Sequence, residues 1–279
     1  MSLQPRVDLT EERKWFSDRL RIVADELRLN LQIGINACSG GVDGVLVNNS
    51  PGSAATLVVS SSNSGAVKGF VTMNGAAVVK GDLTIKLAHY NRASPFKISI
   101  NQSKPCVLSQ MSLANNCLVT CMDLLACATE VYDTDLDMRH FQDAISNIVR
   151  YLVKAREYLE TPSESQLFPQ KEPDPKCFQP ELQDDLIIEF STKRTLLNVS
   201  IYALSLHQQG IPLHLQNKLL GKFKHFKIGS YKGKEIEIVD EVSIDIVSPK
   251  LAEAFNSIEH TEALCRDTLA KLTMHNSVF

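Results

Sequence analysis

Four separated stretches of this 279-residue chain place apolar side chains at alternating steps of three and four. Met138, Phe141, Ile145, Ile148, Leu152, Ala155 and Leu159 keep the rhythm without a break. Val107, Met111, Ala114, Leu118, Cys121, Leu125, Ala128 and Tyr132 repeat it, as do Leu251, Phe255, Ile258, Glu262, Cys265, Leu269 and Leu272. Phe16, Leu20, Val23 and Leu27 do so near the start. A mean step of about 3.5 residues puts one narrow apolar seam on each helix. Seams of this kind need one another, so the pattern predicts an up-down-up-down antiparallel four-helix bundle. A packed seam is a device for assembly rather than for chemistry.

Between the helices the period changes to that of strands. Thr56–Ser60 is β-branched, and Val67–Met73 alternates up to Asn74-Gly75, a tight-hairpin signal. Leu83–Leu87, Phe96–Ile100, Leu186–Phe190 and Leu197–Leu206 read as further strands, and Phe226–Tyr231 with Glu235–Ile246 as a last hairpin. Gly34 is the expected end of the first helix, and Ser248-Pro249 the N-cap and first position of the last. The expected fold class is α+β: the bundle carries a discontinuous, mainly antiparallel β-lobe at one end. Residues 1–37, 106–160 and 248–279 form the helical domain in this reading, and 50–105 with 182–247 the β domain. Residues 161–181, rich in proline, read as an extended linker.

Composition narrows the function classes. A net charge of −3 gives no global reason to expect nucleic acid. No uninterrupted apolar run reaches the roughly 20 residues that span a bilayer, and the start of the chain lacks a signal pattern. The protein is expected to be cytoplasmic or nuclear, not transmembrane. Seven cysteines without regular spacing argue against a disulfide framework. Cys106, Cys117, Cys121, Cys127 and Cys265 read as small hydrophobes in or beside apolar helices. The sequons at Asn48 and Asn198 are then expected to stay unused.

Chemistry-bearing motifs fail on inspection. Asp133, Asp135 and Asp137 begin like a calcium loop, but Met138 stands where Gly is needed and Ala144 where Glu is needed. Cys117 and Cys121 lack a second Cys or His pair at zinc spacing. His207, His214 and His225 are scattered, and the glycines near Gly40 and Gly44 lack a phosphate-loop context. The expected catalytic, cofactor and metal sets are therefore empty. One segment stands out by charge. From His207 to Lys234 there is no acidic residue, while Lys218, Lys222, Lys224, Lys227, Lys232 and Lys234 alternate with Phe223, Phe226 and Tyr231. It is either a patch for anionic lipid or an acidic partner, or a solvated loop and edge strand whose lysines discourage aggregation. Glu262, at a seam position, either meets a cation on a neighbouring helix or reaches water at a local opening.

Val67-Lys68-Gly69-Phe70-Val71-Thr72-Met73-Asn74-Gly75, continuing to Leu83-Thr84-Ile85-Lys86-Leu87, resembles the Rogdi family. So do Ala155-Arg156-Glu157-Tyr158-Leu159-Glu160-Thr161-Pro162, Pro180-Glu181-Leu182-Gln183-Asp184-Asp185-Leu186 with Leu197–His207, and the last helix with Pro249, Leu251, Leu264-Cys265 and Val278-Phe279. The matches fall in order from about Trp15 onward. The resemblance implies a non-enzymatic helical and β protein, the counterpart of the small subunit of the RAVE complex, which promotes assembly of the vacuolar proton ATPase. It implies a large WD-repeat scaffold of the rabconnectin type as partner, contact with the ATPase sectors through that scaffold, and peripheral recruitment to endosomal, lysosomal or vesicle membranes. The family is also described as leucine-zipper proteins. This chain has no run of leucines at strict sevens, which favours an intramolecular use of its seams.

Overall fold

The computed structural model describes residues 9–39, 54–61, 65–91, 94–130, 138–206 and 227–278. In chain order the elements are α1 (Leu9–Cys38), β1 (Ala54–Ser60), β2 (Val67–Asn74), β3 (Ala77–Ile85), β4 (Phe96–Ile100), β5 (Cys106–Val107), α2 (Ser109–Glu130) and α3 (Met138–Glu160). Two single 3-10 turns follow, then β6 (Phe178–Gln179), β7 (Leu186–Lys193), β8 (Leu196–Leu206), β9 (Lys227–Tyr231), β10 (Lys234–Val247) and α4 (Pro249–Val278). The chain divides into two compact units. Met1–Cys38, Leu113–Tyr158 and Glu253–Phe279 make the helical unit, and Ser39–Ser112 with Leu159–Ala252 the β unit.

In the β unit the strands form two separate antiparallel sheets. One runs β1-β2-β3-β4-β6, with β5 also on β3; the other runs β7-β8-β10-β9. Period-two patterning explains the faces: Leu57 and Val59 of β1 are buried while Thr56 and Val58 are exposed. Gly75 closes the β2–β3 hairpin with φ 51°. Gly69 is irreplaceable by contact, since a Cβ there would lie 1.9 Å from the Asp82 carbonyl oxygen. In β8, Leu197, Val199, Ile201 and Ala203 are buried as a row, and the polar Asn198 and Ser200 are buried too. Asn198 Nδ2 donates to Ser243 Oγ (2.7 Å) and Asp245 Oδ1 (2.6 Å), so the second sequon asparagine is buried and bonded. A register shift in β10 between Ile238 and Asp240 aims Asp240 at the chain around His89. Its carboxylate accepts from the backbone N–H groups of His89 (2.7 Å) and Tyr90 (2.9 Å).

Strand β7 is an outer strand, and side chains close it. Gln110 Oε1 accepts from Thr192 N (2.7 Å) and Gln110 Nε2 donates to the Thr192 carbonyl (3.1 Å), standing in for a strand neighbour. The proline-rich stretch is not the extended linker expected. Glu164–Gln166 and Pro175–Cys177 are 3-10 turns, and Phe168, Cys177, Phe178 and Leu182 are buried in the β unit. Phe168 clusters with Ile187, Leu204, Tyr231 and Ile236, its ring 5.1 Å from that of Tyr231. Prolines remove donors and fix φ, but apolar anchors set among them supply the burial that orders the segment.

In the helical unit the stripes are buried, yet the up-down-up-down bundle expected from them is not the arrangement. No two described helices keep a sustained run of Cα atoms within 8 Å of each other, as the sheet strands do. Their approaches are local. Ser257 Oγ of α4 donates to the Asn30 carbonyl of α1 (2.5 Å), and the Cys121 thiol of α2 to the Ile148 carbonyl of α3 (3.7 Å). The single β-lobe is likewise replaced by two sheets. A 3.5-residue period reports one buried face per helix; it carries no information on which neighbour covers that face or at what angle. Nor does α1 end at Gly34: it continues to Cys38, and Gly34 marks a close crossing, where a Cβ would come 2.9 Å from Ser257 Oγ and 3.1 Å from Leu118 Cδ1. Helix α2 is apolar enough, by length and composition over Ser109–Thr129, to cross a membrane, with a mean hydropathy of 1.3. Its Met111, Ala114, Leu118, Cys121, Leu125 and Ala128 are buried.

Candidate functional site

A cavity of about 390 Å³ in the β unit gathers the most varied chemistry among the described residues; positions 104–107, 171–174, 177–178 and 188–190 line it. Backbone pairing brings these distant segments together. β5 pairs with β3 through Val78↔Cys106, and β6 pairs with β4 through Ile100↔Phe178. Asn101 fixes the turn before β6: its backbone N–H donates to the Cys177 carbonyl (2.8 Å), and its Nδ2 to the Lys176 carbonyl (3.0 Å). β7 supplies Ile188, Glu189 and Phe190, held in register by β8. Phe178 and Phe190, with ring centroids 6.3 Å apart, form an apolar wall.

Three polar features interrupt that wall. Glu189 is 8% exposed, and its carboxylate accepts from the Phe168 backbone N–H at 3.1 and 3.3 Å. Burial outweighs that bond and pushes its carboxyl up to about 7. At the lip Lys104 pairs with Asp174, holding the Asp174 carboxyl below the usual range. Asp174 also caps the second 3-10 turn by accepting from Lys176 N (3.0 Å). Cys106 and Cys177 lie side by side. The Cys106 thiol bonds the Cys177 sulfur and lowers the Cys177 pKa against its partial burial, while that same bond and burial raise Cys106. The cavity can therefore receive a small amphipathic molecule, offer it a carboxyl poised between charge states, and undergo thiol chemistry.

The sequence-derived positions fall elsewhere. Leu20, Leu27, Leu118, Leu125, Phe141, Ile145, Ile148, Leu152, Leu251, Phe255, Ile258 and Leu272 are buried. Phe16, Val23 and Leu269 are half-buried, and on α1 Ala24 and Leu31 join the buried face instead. Opposite that face Trp15, Ile22 and Leu29 form an exposed row seven residues apart, 66%, 57% and 64% accessible. Glu262 meets cations: it accepts from Arg156 Nε (3.1 Å) and Arg266 Nη2 (2.8 Å). Of the basic segment, Lys218, Lys222 and Lys224 lie outside the described residues, and so do His207, His214, His225 and Asp133–Asp137. Lys227 belongs to β9 and Lys234 is exposed. Lys232 is committed to Glu172 (2.6 Å) and Asp184 (3.3 Å). Among the described residues no three His, Cys, Asp or Glu side chains converge as metal ligands. Cys106 lies in β5, just before α2, and Cys127 is exposed rather than buried as a small hydrophobe. The sequence reading missed Lys104, Asp174, Cys177 and Glu189 as a group; the one available signal was a lone glutamate inside Leu186–Phe190.

The family described as Rogdi leucine zipper containing protein matches residues 12–227, most of the chain. The chain belongs to the Rogdi family. A zebrafish (Danio rerio) relative, "Protein rogdi homolog", is 26% identical over 211 residues, covering 73% of this chain and 70% of the relative. The matched span takes in most of the described β unit and the helices α1, α2 and α3, so the family signature is spread over both units.

Proposed function

We propose that this Rogdi-family chain is a non-catalytic adaptor, a regulatory subunit of a RAVE-like complex that promotes assembly of the vacuolar proton ATPase. The family match over residues 12–227 carries the reading. The engaged state of the cavity's polar groups supports it: Glu189 is held by a backbone N–H, and Lys104 by Asp174. The partner is a large WD-repeat scaffold of the rabconnectin type, through which the ATPase sectors are reached. The adaptor is cytoplasmic, recruited peripherally to endosomal, lysosomal or vesicle membranes, with a nuclear pool. In the rival reading it is a peripheral module that binds anionic lipid through the lysine segment; the ion pairs of Lys232 count against that use of Lys232.

Depletion from cells separates the readings. The expected result is ATPase sectors present in normal amounts but less assembled on membranes, with raised organelle pH, and a WD-repeat scaffold recovered with the affinity-purified protein. Neutralising Lys222, Lys224 and Lys227 together should leave scaffold recovery intact, because screened surface charges contribute little to a packed interface. Normal assembly and acidification after complete depletion would sink the adaptor reading. Salt-sensitive vesicle binding lost in the triple variant, without scaffold recovery by the parent, would install the lipid module in its place.

A further inference from the structure

We propose that Cys106 and Cys177 are a redox-active dithiol in the wall of the β-unit cavity, oxidised by small hydroperoxides to an intramolecular disulfide. Three observations converge on the pair. Both residues line the same cavity of about 390 Å³, which admits a small oxidant. Both are nearly buried, 9% and 8% exposed, so larger thiol reagents are hindered. The Cys177 thiol donates to the carbonyl of Pro105, the residue before Cys106, at 3.7 Å, which brings the two thiols together. Cys121 also has thiol neighbours, Cys265 and Cys117, but away from this cavity. Cys121 and Cys265 are fully buried and border no described cavity that holds another thiol. Their thiols are raised first by burial.

The electrostatics make the pair asymmetric, as a nucleophile and a resolving thiol need to be. The Cys106 S–H bond favours a thiolate on Cys177, against its burial and the neighbouring Asp174 carboxylate, with Lys104 adding the smallest help. Cys106, raised, is the donor that keeps its proton. Cys177 loses its proton to solvent, and its sulfur attacks the distal oxygen of the hydroperoxide. An S–O bond forms, the O–O bond breaks, and the departing alkoxide or hydroxide takes a proton to leave as alcohol or water. The sulfur is oxidised by two electrons to a sulfenic acid. The Cys106 sulfur then gives up its proton and attacks Cys177. The S–S bond forms, the S–O bond breaks, and hydroxide leaves as water. A thiol reductant reverses the process by exchange.

The disulfide would staple β5, which pairs with β3, to the turn before β6, which pairs with β4. That staple fixes the cavity wall.

The test uses the full chain, stoichiometric hydrogen peroxide and peptide mapping after rapid alkylation. The expected result is a mass loss of about 2 Da and a linked peptide joining Cys106 to Cys177, reversed by dithiothreitol, before the exposed Cys127 is modified. In Cys106→Ser the reaction should stop at a sulfenic acid on Cys177, trapped by dimedone. In Cys177→Ser, peroxide consumption should fall at least tenfold. Oxidation of Cys127 ahead of Cys177, a stable sulfenic acid on Cys177 in the parent, or any other cysteine pairing would overturn the proposal. The parent protein decides the matter alone if a variant fails to fold.

Discussion

Glu189 stands in an otherwise apolar run of β7, and its charge state couples stability to pH. In the unfolded chain its carboxyl titrates near about 4.3; in the fold it titrates at about 7. Between those values the folded state holds the extra proton, so stability is full below about pH 4 and falls as pH rises through 7. Glu189→Gln keeps an acceptor for the Phe168 N–H and removes the titration. The variant should gain roughly 2 kcal/mol on the parent between pH 5 and pH 8, read by urea unfolding at both. A difference that stays constant with pH would mean the carboxyl is hydrated in the fold. The sequence showed a lone glutamate among Leu186, Ile187, Ile188 and Phe190 but not its depth. Depth depends on Phe168, twenty-one residues away, folding over it. Glu262 was only half legible: a charged residue on an apolar seam has two fates, and its spacing does not choose the ion pair over an opening to water. The structure selects the ion pair, with Arg156 and Arg266.

At the scale of elements, α1 shows what a period reveals and what it hides. Leu20 and Leu27 are buried as their spacing demands. The expected face is rotated, though: Ala24 and Leu31 are buried, and Phe16 and Val23 only half. Small Ala24 and the glycine at Gly34 look neutral in a hydrophobic count, yet they mark where another chain segment comes close. Gly34 belongs inside the helix because Ser257 Oγ and Leu118 occupy the space its side chain would need. Alanine there gains about 1 kcal/mol of helix propensity. It must also displace a Ser257 hydroxyl that is bonded to the Asn30 carbonyl at 2.5 Å. The steric and hydrogen-bond loss should win, leaving Gly34→Ala destabilised by about 1 kcal/mol net. In a Ser257→Ala background the same change should cost less and approach neutrality, since the remaining Cβ lies at 3.6 Å and only the flexible end of Leu118, at 3.1 Å, must still give way. Equal effects in both backgrounds, measured by thermal melts, would show that the crossing is slack. Element types were readable from local pattern here. Which helix covers which was not, because that depends on contacts such as Asn30 with Ser257, 227 positions apart.

Over the whole molecule, sequence order and spatial order part company. The cavity draws on residues 104–107, 171–174, 177–178 and 188–190, and the prolines around 173–180 concealed its wall as a supposed linker. Each unit is likewise assembled from separated pieces of chain. That discontinuity has a consequence for truncation. Every described strand lies between Ala54 and Val247, ahead of α4. Helix α4 gives the helical unit its buried Phe255, Ile258, Cys265 and Leu272. Burying a large apolar side chain contributes about 1.5–3 kcal/mol, and a domain's whole stability is only about 5–15 kcal/mol. Removing residues 249–279 should therefore unfold the helical unit and spare the sheets. Hydrogen exchange would read this segment by segment. Amides of α1, α2 and α3 should lose protection, while those of β8 and β10, which pair along most of their length, keep it. Far-UV circular dichroism should lose more helix than the 30 residues of α4 account for. If α1, α2 and α3 stay protected as in the full chain, the buried faces of the other helices satisfy one another, and α4 contributes little to holding the unit together.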